Sequence, residues 1–252
     1  MKRLIHNATL VLFTFALSGR AQDETLPSID LILKHVRTMA NHEQGNDRLF
    51  RSRYAFVQVR TTRELDGKGR VRKEDSKQTR NNPSVRPAAF KTATQSREAG
   101  PSSGNKEATD KPFETDEFAI NDDLLSRFDF SVVKRESLNG RSAIVVDFRP
   151  ANKKLPTHNL KDRFINKTAG RVWVDEGDWM LAKIDFHLVD SVNVVGGLVG
   201  SVKAFNFQLD RQRTPDALWY VTDINWRLVG REFFSRKIME CEDHRSDIRK
   251  VR

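Results

Sequence analysis

The residues of this chain with chemistry to offer are five histidines beyond the N-terminal segment, one cysteine, an acidic cluster and a glycine run. His35, His42, His158, His187 and His244 are scattered. His35 and His42 are seven residues apart, with no acidic residue placed to complete a metal set. Cys241 is the single cysteine, so no disulfide forms within one chain, and no Gly-x-Ser-x-Gly elbow offers a nucleophile. Asp175, Glu176 and Asp178 could face a cation, but they lack the twelve-residue loop and its closing Glu, and read as a turn. The glycines of 196–200 lack the Lys-Ser/Thr ending of a phosphate cradle and read as a bend or flap. No catalytic, cofactor or metal constellation emerges, and the chain is expected to be non-enzymatic.

What the residues do build is apolar surface. From Phe128 onward, apolar and aromatic residues recur at alternate positions, separated by turn signals, as in an antiparallel run of strands. Met180, Ala182, Ile184, Phe186 and Leu188 share one face of a strand, Phe205, Phe207 and Leu209 one of the next, and Tyr220, Ile224, Trp226 and Leu228 one of a third. If these faces converge they form a broad apolar surface. Ile184, Phe186, Phe205, Phe207, Ile224 and Trp226 are its candidate lining residues. The alternative is that they bury a helix.

The elements that must position this surface are legible in part. Ser28 caps a helix whose stripe is Ile29, Ile32, Leu33, Val36 and Met39, with Gly45 as its stop. Residues 50–65 alternate as a strand, Asp66-Gly67-Lys68-Gly69 turns, and 70–79 returns as a polar edge. Residues 121–128 suggest a short helix capped by Asn121 or Asp122, and Asn139-Gly140 joins two strands. Residues 81–112 are rich in Pro, Ser, Gly, Asn and Thr and are expected to be a disordered insertion.

Length and charge bound the rest. The 252 residues suffice for one large β domain. Lys2 and Arg3, a short apolar run and Gly19-Arg20-Ala21 predict an export signal over 1–21, cleaved before Gln22, with 22–252 as a single mature domain. Net charge is +10, or +7 once Lys2, Arg3 and Arg20 are removed. An exported basic protein is expected to meet an anionic membrane surface or an envelope protein, not nucleic acid. In a Gram-negative cell the destination is the periplasm.

Five pieces of the sequence resemble a known family. They are Leu138-Asn139-Gly140-Arg141 followed by 145–150; Gly170-Arg171-Val172-Trp173-Val174-Asp175; Lys183-Ile184-Asp185-Phe186; the glycines of 196–200; and Ser246-Asp247-Ile248-Arg249-Lys250. They are similar to the outer-membrane lipoprotein-sorting proteins, the periplasmic carriers and their relatives. The resemblance implies an α+β fold that is mainly β, an open incomplete antiparallel barrel or strongly curved sheet with an N-terminal helix at its concave face. It also implies a monomeric lipoprotein carrier that holds the acyl chains of a lipid or acylated lipoprotein. An envelope sensor binding a partner polypeptide on the same sheet is the second function the fold allows. The insertion at 81–112 departs from the carriers.

Overall fold

A computed structural model describes residues 25–84, 120–194, 200–232 and 235–251. The export segment, residues 85–112 of the insertion and the glycines at 196 and 197 lie outside these residues. Two helices lead the described chain, α1 (Ile29–Ala40) and α2 (Glu43–Arg53). A hairpin follows, β1 (Tyr54–Leu65) and β2 (Val71–Asn81). Then come α3 (Asp122–Leu125), β3 (Phe128–Leu138), β4 (Arg141–Pro150) and α4 (Leu160–Ile165). The chain closes with β5 (Thr168–Asp175), β6 (Leu181–Leu188), β7 (Val192–Val194), β8 (Gly200–Arg213), β9 (Trp219–Glu232) and β10 (Ser235–Lys250). Among these residues no helix is long and apolar enough to cross a membrane.

All ten strands join one antiparallel sheet in the order β2-β1-β10-β9-β8-β6-β5-β4-β3, with β7 also paired to β8. Among the described residues β2 and β3 are its two ends and each has one partner, so the sheet is open and not closed into a barrel. Register shifts between β1 and β10, β1 and β2, β3 and β4, β5 and β6, and β8 and β9 mark bulges, which bend strands and increase their twist.

Directly opposed residues in antiparallel strands share a face. One row can therefore be followed across the sheet: Phe130, Phe148, Gly170, Phe186, Phe207, Trp226, Cys241, Thr62, Asp75. The next row runs Val132, Val146, Val172, Ile184, Leu209, Ile224, Asp243, Arg60, Lys77. Both rows are apolar over β3 to β9 and turn polar towards β1 and β2.

The helices lie on this face. Ile32 and Val36 of α1 pack against Ile144, Val146 and Val174. Phe50 of α2 sits among Tyr54, Phe56, Leu218 and Tyr220, stacked on Tyr220 at 4.7 Å. Phe164 of α4 packs with Val192, Phe205, Trp226 and Cys241. The face can thus be called the covered face, with the N-terminal helix on it as the alternating pattern and the resemblance lead one to expect.

Local chemistry explains the elements. The Ser28 side chain accepts from the Leu31 amide, which caps α1. Asn121 and Asn159 cap α3 and α4 in the same way. Asn139 and Gly140 both have positive φ, 53° and 76°, the geometry that an Asn-Gly hairpin turn requires. At the first hairpin Asp66 accepts from the Lys68 and Arg70 amides.

Three expectations need correction. Gly45 does not stop the first helix: α1 ends at Ala40, and α2 runs through Gly45, where the backbone is ordinary helix with open space around it. Residues 50–53 are the last turn of α2 and not strand, because Phe50 is drawn under the helix into the Tyr54, Phe56 and Tyr220 cluster. The short helix at 121–128 is confined to Asp122–Leu125, and Phe128 already belongs to β3.

Gly170 interrupts the aromatic row for a steric reason. A Cβ there would stand 2.2 Å from the Asp185 carbonyl oxygen and 2.6 Å from Phe186 Cα, so β5 and β6 cross too closely for any side chain. Gly170→Ala is therefore expected to destabilise by about 2 kcal/mol or more, the upper range of overpacking. Gly45→Ala, in mid-helix with nothing within 4 Å, is expected to stabilise by about 0.5–1 kcal/mol. Urea unfolding of both variants checks the pair, and equal midpoints would contradict the close crossing.

Candidate functional site

All six candidate residues fall on the covered face, on three neighbouring strands. Phe186, Phe207 and Trp226 lie in one row, Ile184 and Ile224 in the next, and Phe205 opposite Leu228 in the row on the other side. Phe186 and Phe207 stack at 4.8 Å, and Phe205 lies 5.9 Å from Phe186 and 6.2 Å from Trp226. Phe205 and Trp226 are buried, at 1% and 7% exposure, while Ile184, Phe186, Phe207 and Ile224 are half-buried.

What covers them is not the helix that begins at Ser28. α1 lies over β3 to β5, with Trp179 and Leu181 at its margin, and its Met39 packs on Met180, on Ala182 of β6 and on Trp219 of β9. Phe164 of α4 lies over Phe205 and Trp226 instead, and Val192 of β7, in the sheet beside β8, completes the cluster. Around this cluster packs a strip of half-buried apolar side chains that reaches from β6 to β10: Phe186, Phe207, Ile224, Leu228 and Met239. From Phe186 to Cys241 it crosses three strand intervals, about 14 Å at about 4.8 Å each. Cys241 is buried in its floor, and burial pushes its thiol pKa up, which makes it a packing residue more than a nucleophile.

The strip has a charged end. Asp243, next along β10, accepts from Gln58 Nε2 at 2.8 Å and Arg60 Nε at 2.7 Å. Arg245 lies over the Phe56 ring at 5.2 Å, and burial lowers its pKa from the usual guanidinium value. Arg211, 6% exposed, reaches Glu43 of α2 at 2.7 Å. Arg211 Nε and Arg245 Nη1 are buried with no hydrogen-bond partner among the described residues. This end sits beneath α2, opposite the apolar α4 end.

The acidic cluster is fully engaged in structure. Asp175, 1% exposed, is gripped by Arg141 Nε and Nη2 at 2.6 and 2.7 Å and accepts the Gly177 and Asp178 amides. Glu176 pairs with Arg135 at 2.6 Å. Asp178 accepts from Arg213 and from the Trp219 indole at 2.9 Å. The turn therefore ties β4, β5, β8 and β9 together and faces α1, where His35 stacks on Trp179 at 4.4 Å. Among the described residues no group of three or more His, Cys, Asp or Glu is arranged to hold a metal ion. The remaining histidines are dispersed: His244 bonds Asp223 at 2.7 Å on β10, and His187 lines a polar groove with Arg171 and Asp147.

Sequence reasoning missed α4 and β7, and with them Phe164 and Val192. The signal was present for α4: Asn159 precedes Asp162 by three residues, as a cap and its first turn do, ahead of the apolar pair Phe164-Ile165.

No family model matches the sequence, and no curated protein matches it. Solved structures do match. One is described as an outer membrane lipoprotein-sorting protein domain from Vibrio parahaemolyticus, at 13% identity over 86% of this chain and 93% of that one, TM-score 0.33. Another is the LolA superfamily protein NE2245 from Nitrosomonas europaea, at 11% identity over 90% and 94%, TM-score 0.34. A third is a DUF1329 family protein from Desulfovibrio piger ATCC 29098, at 14% identity over 86% and 92%, TM-score 0.31.

The polar ends of the site carry a pH dependence. Burial alone would raise the Asp178 carboxyl, but the Trp219 indole and the Arg213 guanidinium outweigh it and hold it below its usual value. The Arg135 bond does the same for Glu176, and the Tyr54 hydroxyl holds Asp216 well below the carboxylate range. A carboxyl held low stabilises the fold above its unfolded value, near about pH 4, and that contribution is lost as pH falls through the lower folded value. The melting temperature is expected to be level from about pH 8 to 5 and to fall below about pH 4. Asp178→Asn is expected to melt lower at neutral pH and to lose less on acidification. A wild-type melting temperature that stays level to about pH 3 would contradict the assignment.

Proposed function

We propose that this chain is an exported, non-enzymatic binding protein, a single domain over 22–252, that shelters the acyl chains of a lipid or acylated lipoprotein on the strip around the Phe164 cover. In a Gram-negative envelope it works in the periplasm. Ile184, Phe186, Phe205, Phe207, Ile224 and Trp226 are its contact residues.

One observation carries the reading. Around the Phe164 cover, half-buried Phe186, Phe207, Ile224, Leu228 and Met239 adjoin the buried Phe205 and Trp226 on neighbouring strands of one sheet face. An apolar face of this kind gains about 0.8 kcal/mol for each methylene it takes from water. Affinity can thus come from chain length, with no reactive group. The export signal supports a place in the envelope.

A partner polypeptide is the second reading, favoured by β2. That strand is exposed along almost its whole length, and its outer edge has no partner strand among the described residues, so an extended peptide could pair there.

The test is native mass spectrometry with lipid extraction on protein purified from its own envelope without detergent. Bound acyl-bearing mass is the expected result. Phe207→Gln, which places an amide in mid-strip, is expected to weaken binding of a fluorescent fatty acid about tenfold with the fold intact. Protein that arrives empty and ignores the fatty acid would sink the acyl reading and favour the polypeptide.

A further inference from the structure

The segment from 151 to 167 has a feature that acyl binding does not use. It carries five cations, Lys153, Lys154, Lys161, Arg163 and Lys167, and a single acid, Asp162. That acid is turned inward. It is buried, it pairs with the buried Arg127 at 3.1 Å, and it accepts the His158 amide at 2.8 Å. Arg127 also bonds the Pro156 carbonyl and Asn166, so the loop and α4 are held as one unit. The outward surface is left almost purely basic.

The cations differ in how they are engaged. Lys167 is satisfied by Asp190 and the Ser191 carbonyl, both within 2.7 Å. Lys153, Lys154 and Arg163 are exposed, and their side chains have no partner among the described residues. Lys153, Arg163 and Lys167 line a groove of about 440 Å³, with Asn166, Leu155 and Val192 as its less charged walls. Leu160 projects beside it, 48% exposed, an apolar side chain amid the charge. Cations around a projecting leucine complement the two layers of an anionic bilayer surface, headgroup phosphate outside and acyl chain beneath.

We propose that the β4–α4 loop and α4 form a docking surface for an anionic lipid bilayer. Lys153, Lys154 and Arg163 meet headgroup phosphates, and Leu160 enters the interface. The inner side of the same short helix carries Phe164 and Ile165, which are buried, and Phe164 covers Phe205 and Trp226. Docking therefore brings the cover of the apolar strip against the membrane. The surface rests on its own charges and stands whether or not the strip holds acyl chains.

Vesicle sedimentation tests it. Mature protein is mixed with phosphatidylglycerol-containing or purely phosphatidylcholine vesicles at low and high salt. Binding to the anionic vesicles alone, lost at high salt, is expected. Each cation near an anionic surface contributes about a fivefold factor, so Lys153→Glu, Lys154→Glu and Arg163→Glu together are expected to cut partitioning at least about a hundredfold. The control is Lys73→Glu, Lys77→Glu and Arg80→Glu on the exposed β2, which alters net charge equally and is expected to bind nearly as well as wild type. Equal losses in the two variants would mean bulk charge and not this surface, and would overturn the proposal. So would wild-type protein that ignores anionic vesicles. The 153/154/163 variant is expected to keep its fluorescent fatty acid, and Phe207→Gln its vesicle binding, which separates failure of docking from failure of the strip.

Discussion

One continuous sheet face, apolar across most of its strands, has to be kept from water by very little helix. The longest helix among the described residues has twelve residues, and α1 and α4 each set down only one or two buried apolar side chains on the face. Burial of apolar area is the main favourable term in folding, so every element is arranged around this shortage. α1 takes the β3–β5 end, α2 closes the β1–β9 corner through Phe50, and α4 takes the middle of β8 to β10. What remains uncovered is a strip, and its place follows from where the helices cannot reach.

The polar residues follow the same constraint. With an open sheet, the edges and the far face must be soluble, and β2 and the outer half of β1 meet this with charge. Inside, charges are tolerated only as pairs. Arg141 with Asp175, Arg127 with Asp162 and Arg60 with Asp243 each put at least one nearly buried partner against a guanidinium. Such pairs gain little net stability over apolar packing, but losing one partner leaves a buried charge unmet. They therefore act as position markers. Arg141 and Asp175 fix the β5–β6 turn, and Arg127 with Asp162 fixes α4 over the strip. The arginine end beneath α2 is the exception, since Arg211 and Arg245 each keep a buried N–H without a protein acceptor.

How much of this was legible in the sequence depended on range. Contacts three to five residues long could be read: the Ser28 cap, the Asn139-Gly140 turn, the alternation that put Phe186, Phe207 and Trp226 on common faces. Gly45 misled because glycine marks a helix stop only where φ must turn positive, and here α2 simply continues. The corner between α2 and β1 was illegible because Phe50 belongs to a cluster completed by Tyr220, 170 positions later. The assignment of covers was illegible for the same reason. Nothing local says that the Ser28 helix prefers Ile144 and Val146 while a six-residue helix takes Phe205. Polar pairs such as Gln58 and Arg60 with Asp243 lie more than 180 residues apart and leave no periodic trace.

α4 joins these threads. It is too short to be stable alone, so its helicity is borrowed from the Asn159 cap, the Arg127–Asp162 pair and Phe164's seat on Phe205. The two covers are held by different means. α1 sets Ile32 and Val36 on the sheet behind its Ser28 cap, so it rests on apolar burial. α4 adds to Phe164 and Ile165 a buried ion pair, and breaking that pair would leave a charge unmet. A six-residue helix thus keeps its place through one guanidinium, with its basic side outward and its apolar side on Phe205.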